Sequence, residues 1–170
     1  MVNRIPTRKR EQPRFTIYDS PFTTSRGRLK PQRTPTAPVF SWRVRVYYED
    51  TDSGGVVYYA NYLKFLERAR TEWLRALGFE LDGLARDHGA IFIVRSLSIE
   101  YLRPAAFNDE IAATVELGEL GGGQIILNQR ITRGAEELAT ARVRLACVNT
   151  ATFRPVRIPP PVAARIGRKA

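Results

Sequence analysis

The sequence predicts a two-layer α+β domain in which one long amphipathic helix lies against an antiparallel sheet. Three observations point there. One stretch alone, Tyr62 to Leu77, carries apolar residues at sustained helical spacing. After Gly89 the apolar period switches to two and stays there. The period-two segments are joined by short turns. Successive short connections make antiparallel hairpins, not crossovers, and one helix on one sheet is a two-layer arrangement. A sheet with a single covering helix leaves an edge or an apolar surface open, so a dimer is expected.

The first element runs from about Val39 through Phe40-Ser41-Trp42-Arg43-Val44-Arg45-Val46-Tyr47-Tyr48, where alternation and β-formers argue for a strand. Glu49-Asp50-Thr51-Asp52-Ser53-Gly54-Gly55 breaks it with acids and paired glycines, the chemistry of a loop or tight turn. In the helix that follows, Tyr62, Phe65, Leu66, Ala69, Trp73, Ala76 and Leu77 form the apolar stripe. Lys64, Glu67, Arg68, Arg70, Thr71, Glu72 and Arg75 take the polar surface, with Asn61 as N-cap and Gly78 as stop. A short second helix covers Asp82 to Asp87 and ends near Gly89.

Four strands are expected after it. Ile91, Ile93, Leu97, Ile99 and Tyr101 share one face of the first, and Ile111, Ala113, Val115 and Leu117 mark the second. Ile125, Leu127 and Ile131 mark the third; Ala139, Ala141, Val143, Leu145 and Cys147 mark the fourth. Gly121-Gly122-Gly123 and Arg133-Gly134-Ala135-Glu136 are the turns between them.

Composition removes several function classes. With 44% hydrophobic residues the chain can build a core. A single Cys and a single His exclude a disulfide scaffold, a conventional zinc cluster and any machinery needing two histidines. The formal charge of +10 taken alone suggests nucleic acid or an anionic membrane. Its distribution argues otherwise. Residues 1–38 hold nine Lys or Arg against two acids, residues 151–170 hold five and none, and residues 39–150 hold 13 against 15. The expected organisation is a basic, disordered N-terminal tail over 1–38, a folded domain over 39–153, and a basic Pro-containing C-terminal tail over 154–170. The N-terminal stretch lacks the apolar run of a secretory signal. Neither tail interleaves aromatics as a stacking platform does, so no specific nucleic-acid partner is expected.

The acidic-glycine loop is the densest polar signal of the folded segment. As an EF-hand starting at Asp50 it would place Gly55 correctly, but Asn61 stands where the last ligand, Glu, belongs. No Gly-Lys-Ser/Thr follows, so it is not a Walker loop. The bland alternative is an acidic turn whose glycines take positive φ. The chemical reading is that backbone N–H groups at a helix start receive developing negative charge while an acid activates water or attacks. Spacing leaves Glu49, Asp50 and Asp52 equivalent. His88, beside Asp87, reads as a surface or packing residue. Cys147 reads as a buried structural thiol. Glu67 reads as an acid paired with Arg70 or Thr71 on the solvent face.

The run Val44-Arg45-Val46-Tyr47-Tyr48-Glu49-Asp50-Thr51-Asp52-Ser53-Gly54-Gly55-Val56-Val57-Tyr58-Tyr59-Ala60-Asn61-Tyr62 resembles the signature of the hotdog-fold acyl-CoA thioesterases. The resemblance is to the Tol–Pal-associated YbgC-type and 4-hydroxybenzoyl-CoA thioesterase group in particular. Phe65 to Leu74 continues it, and it extends more weakly through Ile99-Glu100-Tyr101-Leu102-Arg103-Pro104-Ala105 to about Val148. It implies a hotdog fold, a long central helix packed on a five- or six-stranded antiparallel sheet. It also implies hydrolysis of an acyl-CoA thioester without cofactor or metal. Asp52 matches the essential carboxylate, and the backbone around Val57 to Tyr59 matches the oxyanion-binding start of the helix, a little before Asn61. Tyr59 stands where the YbgC-type branch commonly has His and the 4-hydroxybenzoyl-CoA branch has Tyr. Asp52 and Tyr59 are thus the catalytic candidates. Val57, Tyr58, Asn61 and Tyr62 are expected to line the acyl site, with Arg95, Arg103, Arg130 and Arg133 meeting CoA phosphates. A homodimer or dimer-of-dimers tetramer, a cytoplasmic location at the inner face of the membrane and Tol–Pal association accompany the resemblance. The rival readings are a thioester-binding or dehydratase relative of the same fold, and a non-enzymatic interaction protein at an envelope complex or membrane.

Overall fold

The computed structural model describes residues 39–167; the N-terminal tail expected over 1–38 lies outside them. Along the chain, strand β1 (Phe40–Arg45) precedes helix α1 (Asn61–Ala76) and the shorter α2 (Leu81–His88). Strands β2 (Ala90–Tyr101), β3 (Glu110–Leu120), β4 (Gln124–Arg133) and β5 (Glu136–Asn149) follow, and α3 (Pro160–Gly167) closes the described segment. The five strands form one sheet in the order β1-β3-β4-β5-β2, antiparallel throughout. This is the hotdog fold, with α1 packed on a five-stranded sheet.

Helix α1 buries Tyr62, Phe65, Leu66, Ala69, Arg70, Trp73 and Leu74, a stripe at spacings of three and four. Leu74 takes the inward place expected for Ala76, which is exposed. Each Leu or Phe so buried contributes about 1.5–3 kcal/mol of transfer free energy. The stripe meets Ile111, Ala113 and Val115 of β3 and Ile125, Leu127 and Ile131 of β4 within one core.

Arg70 departs from its expected place on the polar surface. It is buried on the stripe, where its guanidinium donates at 2.8 Å to Gln129 Oε1. Gln129, 1% exposed, fills the inward gap between Leu127 and Ile131 and donates to the carbonyls of Leu66 at 3.1 Å and Thr114 at 3.2 Å. Burial pulls the Arg70 pKa down, but its donors have an acceptor.

β2 also departs from strict alternation. Its register against β5 shifts between Val94 and Ser96, making Arg95 a bulge residue. Ile91 and Ile93 stand opposite Val148 and Ala146, whereas Leu97, Ile99 and Tyr101 stand opposite Val143, Ala141 and Ala139. One inserted residue exchanges the two faces, so these five residues do not share a face as expected.

The C-terminal stretch corrects the tail expected over 154–170. Val156 donates to the Cys147 carbonyl at 3.0 Å and Ile158 to Gly122 at 2.8 Å. Gly123 permits this approach, since a Cβ there would meet the Val156 oxygen at 2.9 Å. Helix α3 then buries Val162 and Ile166, and Arg165 Nε donates to the Leu77 carbonyl just past the end of α1, at 3.2 Å. The prolines start this helix at Pro160, where a missing N–H costs nothing.

Two outcomes are expected in urea unfolding. Gln129→Leu strands the buried Arg70 guanidinium and costs about 1.5–3 kcal/mol; adding Arg70→Leu restores much of it, because an apolar pair needs no partner. Ile166→Ala costs about 2–5 kcal/mol, whereas a residue in an undocked tail would leave the midpoint unchanged.

Candidate functional site

The acidic loop is shaped by its own backbone. A 3₁₀ turn spans Tyr48–Asp50, and Asp50 Oδ2 accepts the Tyr47 N–H at 2.9 Å. Asp50 is 8% exposed and its carboxylate is committed to this turn. The Asp52 N–H donates to Val56 at 2.9 Å and Gly55 donates back to Asp52 at 3.0 Å, while Thr51 and Val57 form an antiparallel bridge. Gly55 closes the turn at a φ of 76°, a region costly for other residues. Asp52 is exposed on this hairpin, and its Oδ1 accepts the Gly54 N–H at 2.8 Å. A Cβ on Gly54 would approach that oxygen to 3.0 Å. Among the described residues, Oδ2 of Asp52 has no partner. Loop geometry thus separates Asp50, which caps, from Asp52, which faces solvent with an uncommitted oxygen.

The segment leading into α1 divides its N–H groups. Val57 donates to the Ala105 carbonyl at 2.8 Å, Tyr58 to Asp50 at 2.9 Å and Asn61 to Tyr58 at 2.8 Å. Among the described residues, the N–H groups of Tyr59 and Ala60 meet no acceptor. Ala60, with helical φ and ψ, takes the N-cap position expected for Asn61. Unclaimed N–H groups at a helix start, with the helix dipole behind them, suit a developing oxyanion.

Four tyrosines surround this point. The Tyr58 and Tyr59 rings lie 4.6 Å apart, and Tyr101 meets Tyr59 edge-on at 6.4 Å and Tyr62 at 5.3 Å. The Tyr101 hydroxyl donates to the Tyr59 carbonyl at 3.0 Å. The Tyr58 phenol is held above its ordinary 10.0, first by the adjoining Tyr59 phenol and last by the Asp52 charge. It is therefore a neutral donor at neutral pH, not a base.

Of the residues expected to line the acyl site, Tyr58 is exposed, but Val57, Asn61 and Tyr62 are buried. The Tyr62 hydroxyl accepts the Ala105 N–H at 2.9 Å, and Asn61 Nδ2 donates to the Asp50 carbonyl at 2.9 Å. These three hold the site from behind instead of offering surface to a substrate. The arginines are also divided. Arg103 pairs with Glu136 at 3.1 Å, Arg130 with Glu137 at 3.5 Å, and Arg133 with Asp109 at 2.5 Å and Glu136 at 2.6 Å. Arg95, exposed at the bulge, has no carboxylate partner among the described residues.

His88 is exposed in the last turn of α2. Cys147 is buried, and burial pushes its thiol upward, as expected for a structural cysteine. Glu67 accepts the Thr71 hydroxyl at 2.8 Å on the exposed side of α1. Among the described residues no cluster of three His, Cys, Asp or Glu could hold a metal. No sequence signal distinguishes Ala60, whose N–H is unclaimed at the helix start among the described residues.

The chain matches the family model described as the thioesterase-like superfamily over residues 46–166. It is 45% identical over 125 residues to the acyl-CoA thioesterase YbgC of Haemophilus influenzae, covering 74% of this chain and 92% of that one. It is 40% identical over 127 residues to the acyl-CoA thioester hydrolase YbgC of Escherichia coli O6:H1, covering 74% and 94%. Among solved structures, that of a probable thioesterase from Bartonella henselae aligns with a TM-score of 0.68 at 36% identity, covering 72% of this chain and 100% of that one.

The matched span includes the loop between β2 and β3, which backs the helix start through Ala105. Asp109 Oδ2 anchors that loop by accepting the Ala106 N–H at 2.8 Å and Arg133. Burial alone would raise the Asp109 pKa, but Ala106 and Arg133 outweigh it and hold the carboxyl below 3.8. A carboxylate depressed in the folded state stabilises fully above its unfolded pKa and loses that contribution as pH falls through its folded value. Thermal melting is therefore expected to drop as pH falls below about 4, with a shallower drop in Asp109→Asn. Equal slopes for the two proteins would remove Asp109 as the sensitive group.

Proposed function

The chain belongs to the thioesterase-like superfamily as a hotdog-fold homologue of acyl-CoA thioesterases, and on that premise we propose that it hydrolyses acyl-CoA thioesters through Asp52. One observation carries the reading: a carboxylate with an uncommitted oxygen stands on the hairpin that runs into a helix start where the N–H groups of Tyr59 and Ala60 are unclaimed among the described residues. The N–H groups of Tyr59 and Ala60 receive the thioester carbonyl oxygen and stabilise the charge that develops on it. Asp52 either takes a proton from water, whose oxygen then bonds to the carbonyl carbon, or attacks that carbon itself to give a mixed anhydride that water cleaves. In both routes the C–S bond breaks, CoA leaves as its thiolate and is protonated, and a free carboxylic acid remains.

The Tyr58 hydroxyl meets the acyl group as a neutral donor beside the exposed Tyr59 ring. Of the four arginines expected to meet a CoA phosphate, Arg95 is the one with no carboxylate partner among the described residues. A dehydratase relying on His would have only His88, exposed in the last turn of α2. The enzyme works as a cytoplasmic homodimer or dimer of dimers. Support comes from β2, a sheet edge with Ile93 and Val94 exposed. Association with Tol–Pal or the inner membrane face rests on the family resemblance and the basic residues of 1–38. No described helix is long and apolar enough to cross a membrane.

Release of CoA thiol from an acyl-CoA thioester is expected to fall about 10²–10⁴-fold in Asp52→Asn with the melting temperature retained. Turnover at the parent rate would overturn the assignment.

A further inference from the structure

Asn61 is the first residue of α1, a position whose side chain ordinarily faces solvent or caps the helix's own N–H groups. Here it does neither. It is 7% exposed, and its Nδ2 reaches back to donate to the Asp50 carbonyl at 2.9 Å. The same carbonyl accepts the Tyr58 N–H at 2.9 Å. One oxygen therefore receives a side-chain donor from the helix and a backbone donor from the segment feeding it. Asp50 is itself locked, its N–H donating to Tyr47 at 3.1 Å and its Oδ2 accepting from Tyr47 at 2.9 Å. Two residues along the chain on one side of this joint stands Asp52; between Tyr58 and Asn61 on the other stand Tyr59 and Ala60, with their unclaimed N–H groups.

We infer that Asn61 is a positioning residue that sets the distance between the Asp52 carboxylate and the N–H groups of Tyr59 and Ala60. The inference rests on the proposed role of Asp52. Without the amide, the Asp50 carbonyl keeps only the Tyr58 N–H, the loop is held otherwise by the Thr51–Val57 bridge, and the carboxylate can drift relative to a fixed oxyanion site. A misplacement of about 1 Å in such a pair costs about 10²-fold in rate. Substrate binding, which uses neither the Asn61 amide nor the Asp50 carbonyl, stays close to its parent value.

The test is a double-mutant cycle on the full chain, read as CoA thiol release from one acyl-CoA thioester. Asn61→Leu keeps the volume and removes the donor. It is expected to lower kcat about 10–100-fold, with KM within about threefold. In the Asp52→Asn background the same change is expected to have little further effect, because residues acting as a unit are non-additive. Asn61→Ser, which retains a donor at shorter reach, should recover part of the loss, and it carries the cycle if Asn61→Leu does not fold. A kcat within threefold of the parent overturns the inference, as does a loss repeated in full when Asp52 is already Asn. Either result leaves the Asp52 assignment standing, since that falls only if Asp52→Asn alone turns over normally, which would overturn both.

Discussion

The buried face of α1 must be both apolar enough to cover the sheet and specific enough to stop in one place on it. Apolar contact alone is non-directional and tolerates rotation or sliding. The Arg70–Gln129 pair supplies the direction. Gln129 bonds Arg70 and the Leu66 carbonyl on the helix and the Thr114 carbonyl on β3, so helix, β4 and β3 share one hydrogen-bonded joint. Moving the helix by a turn would strand a guanidinium and an amide in the core. Desolvation makes that costly, which is how a buried polar pair can select one register among several apolar ones.

With α1 fixed, its first turn is fixed, and the site is assembled around that turn almost entirely from backbone. Ala105 accepts from Val57 and donates to Tyr62, Asp50 accepts from Tyr58 and Asn61, and Tyr101 donates to the Tyr59 carbonyl. Each of these scaffolding groups is satisfied, and all but the exposed Tyr101 hydroxyl are drawn into the fold. Asp52, Tyr58 and Tyr59 face solvent beside them. The separation follows from hydrogen-bond accounting, because a group already paired in a buried place has little to offer a substrate. Three of the arginines expected to meet phosphate are likewise held by Glu136, Glu137 and Asp109, which leaves Arg95 at the bulge.

The strand, long helix and four further strands were legible because each carries a helical or period-two pattern, interrupted in β2 by one bulge, and the turns between them carry glycine or charge. So was the acidic-glycine loop that carries Asp52, through a signature whose residues stand in order. What was not legible shares a cause: a single residue breaking a local rule for a tertiary reason. Arg70 reads as surface because it is charged, and only a Gln opposite makes its burial tolerable. Arg95 is one extra residue in β2, and nothing in its identity announces that the faces exchange there. Asn61 has the side chain of an N-cap, and its true acceptor lies in the preceding loop. Pro159, Pro160 and Pro161 read as a tail, yet proline is also what a helix's first turn accepts, and Val162 and Ile166 find a core that sequence periodicity cannot display.

Tyr59 is where the signature departs from the YbgC-type pattern, and the geometry says what that departure costs. The main chain of residue 59 carries what the helix start presents: its N–H is unclaimed among the described residues, and its carbonyl accepts from Tyr101. Its side chain is 60% exposed and leans on Tyr58. A reaction in which backbone donors polarise the carbonyl and Asp52 handles the proton or the attack requires of residue 59 only that its main chain be held in this conformation. Any side chain compatible with those dihedrals meets that demand. Exchanging imidazole for phenol puts a hydroxyl in place of two ring nitrogens on an exposed side chain, while the unclaimed N–H at the helix start and the Asp52 carboxylate keep their places.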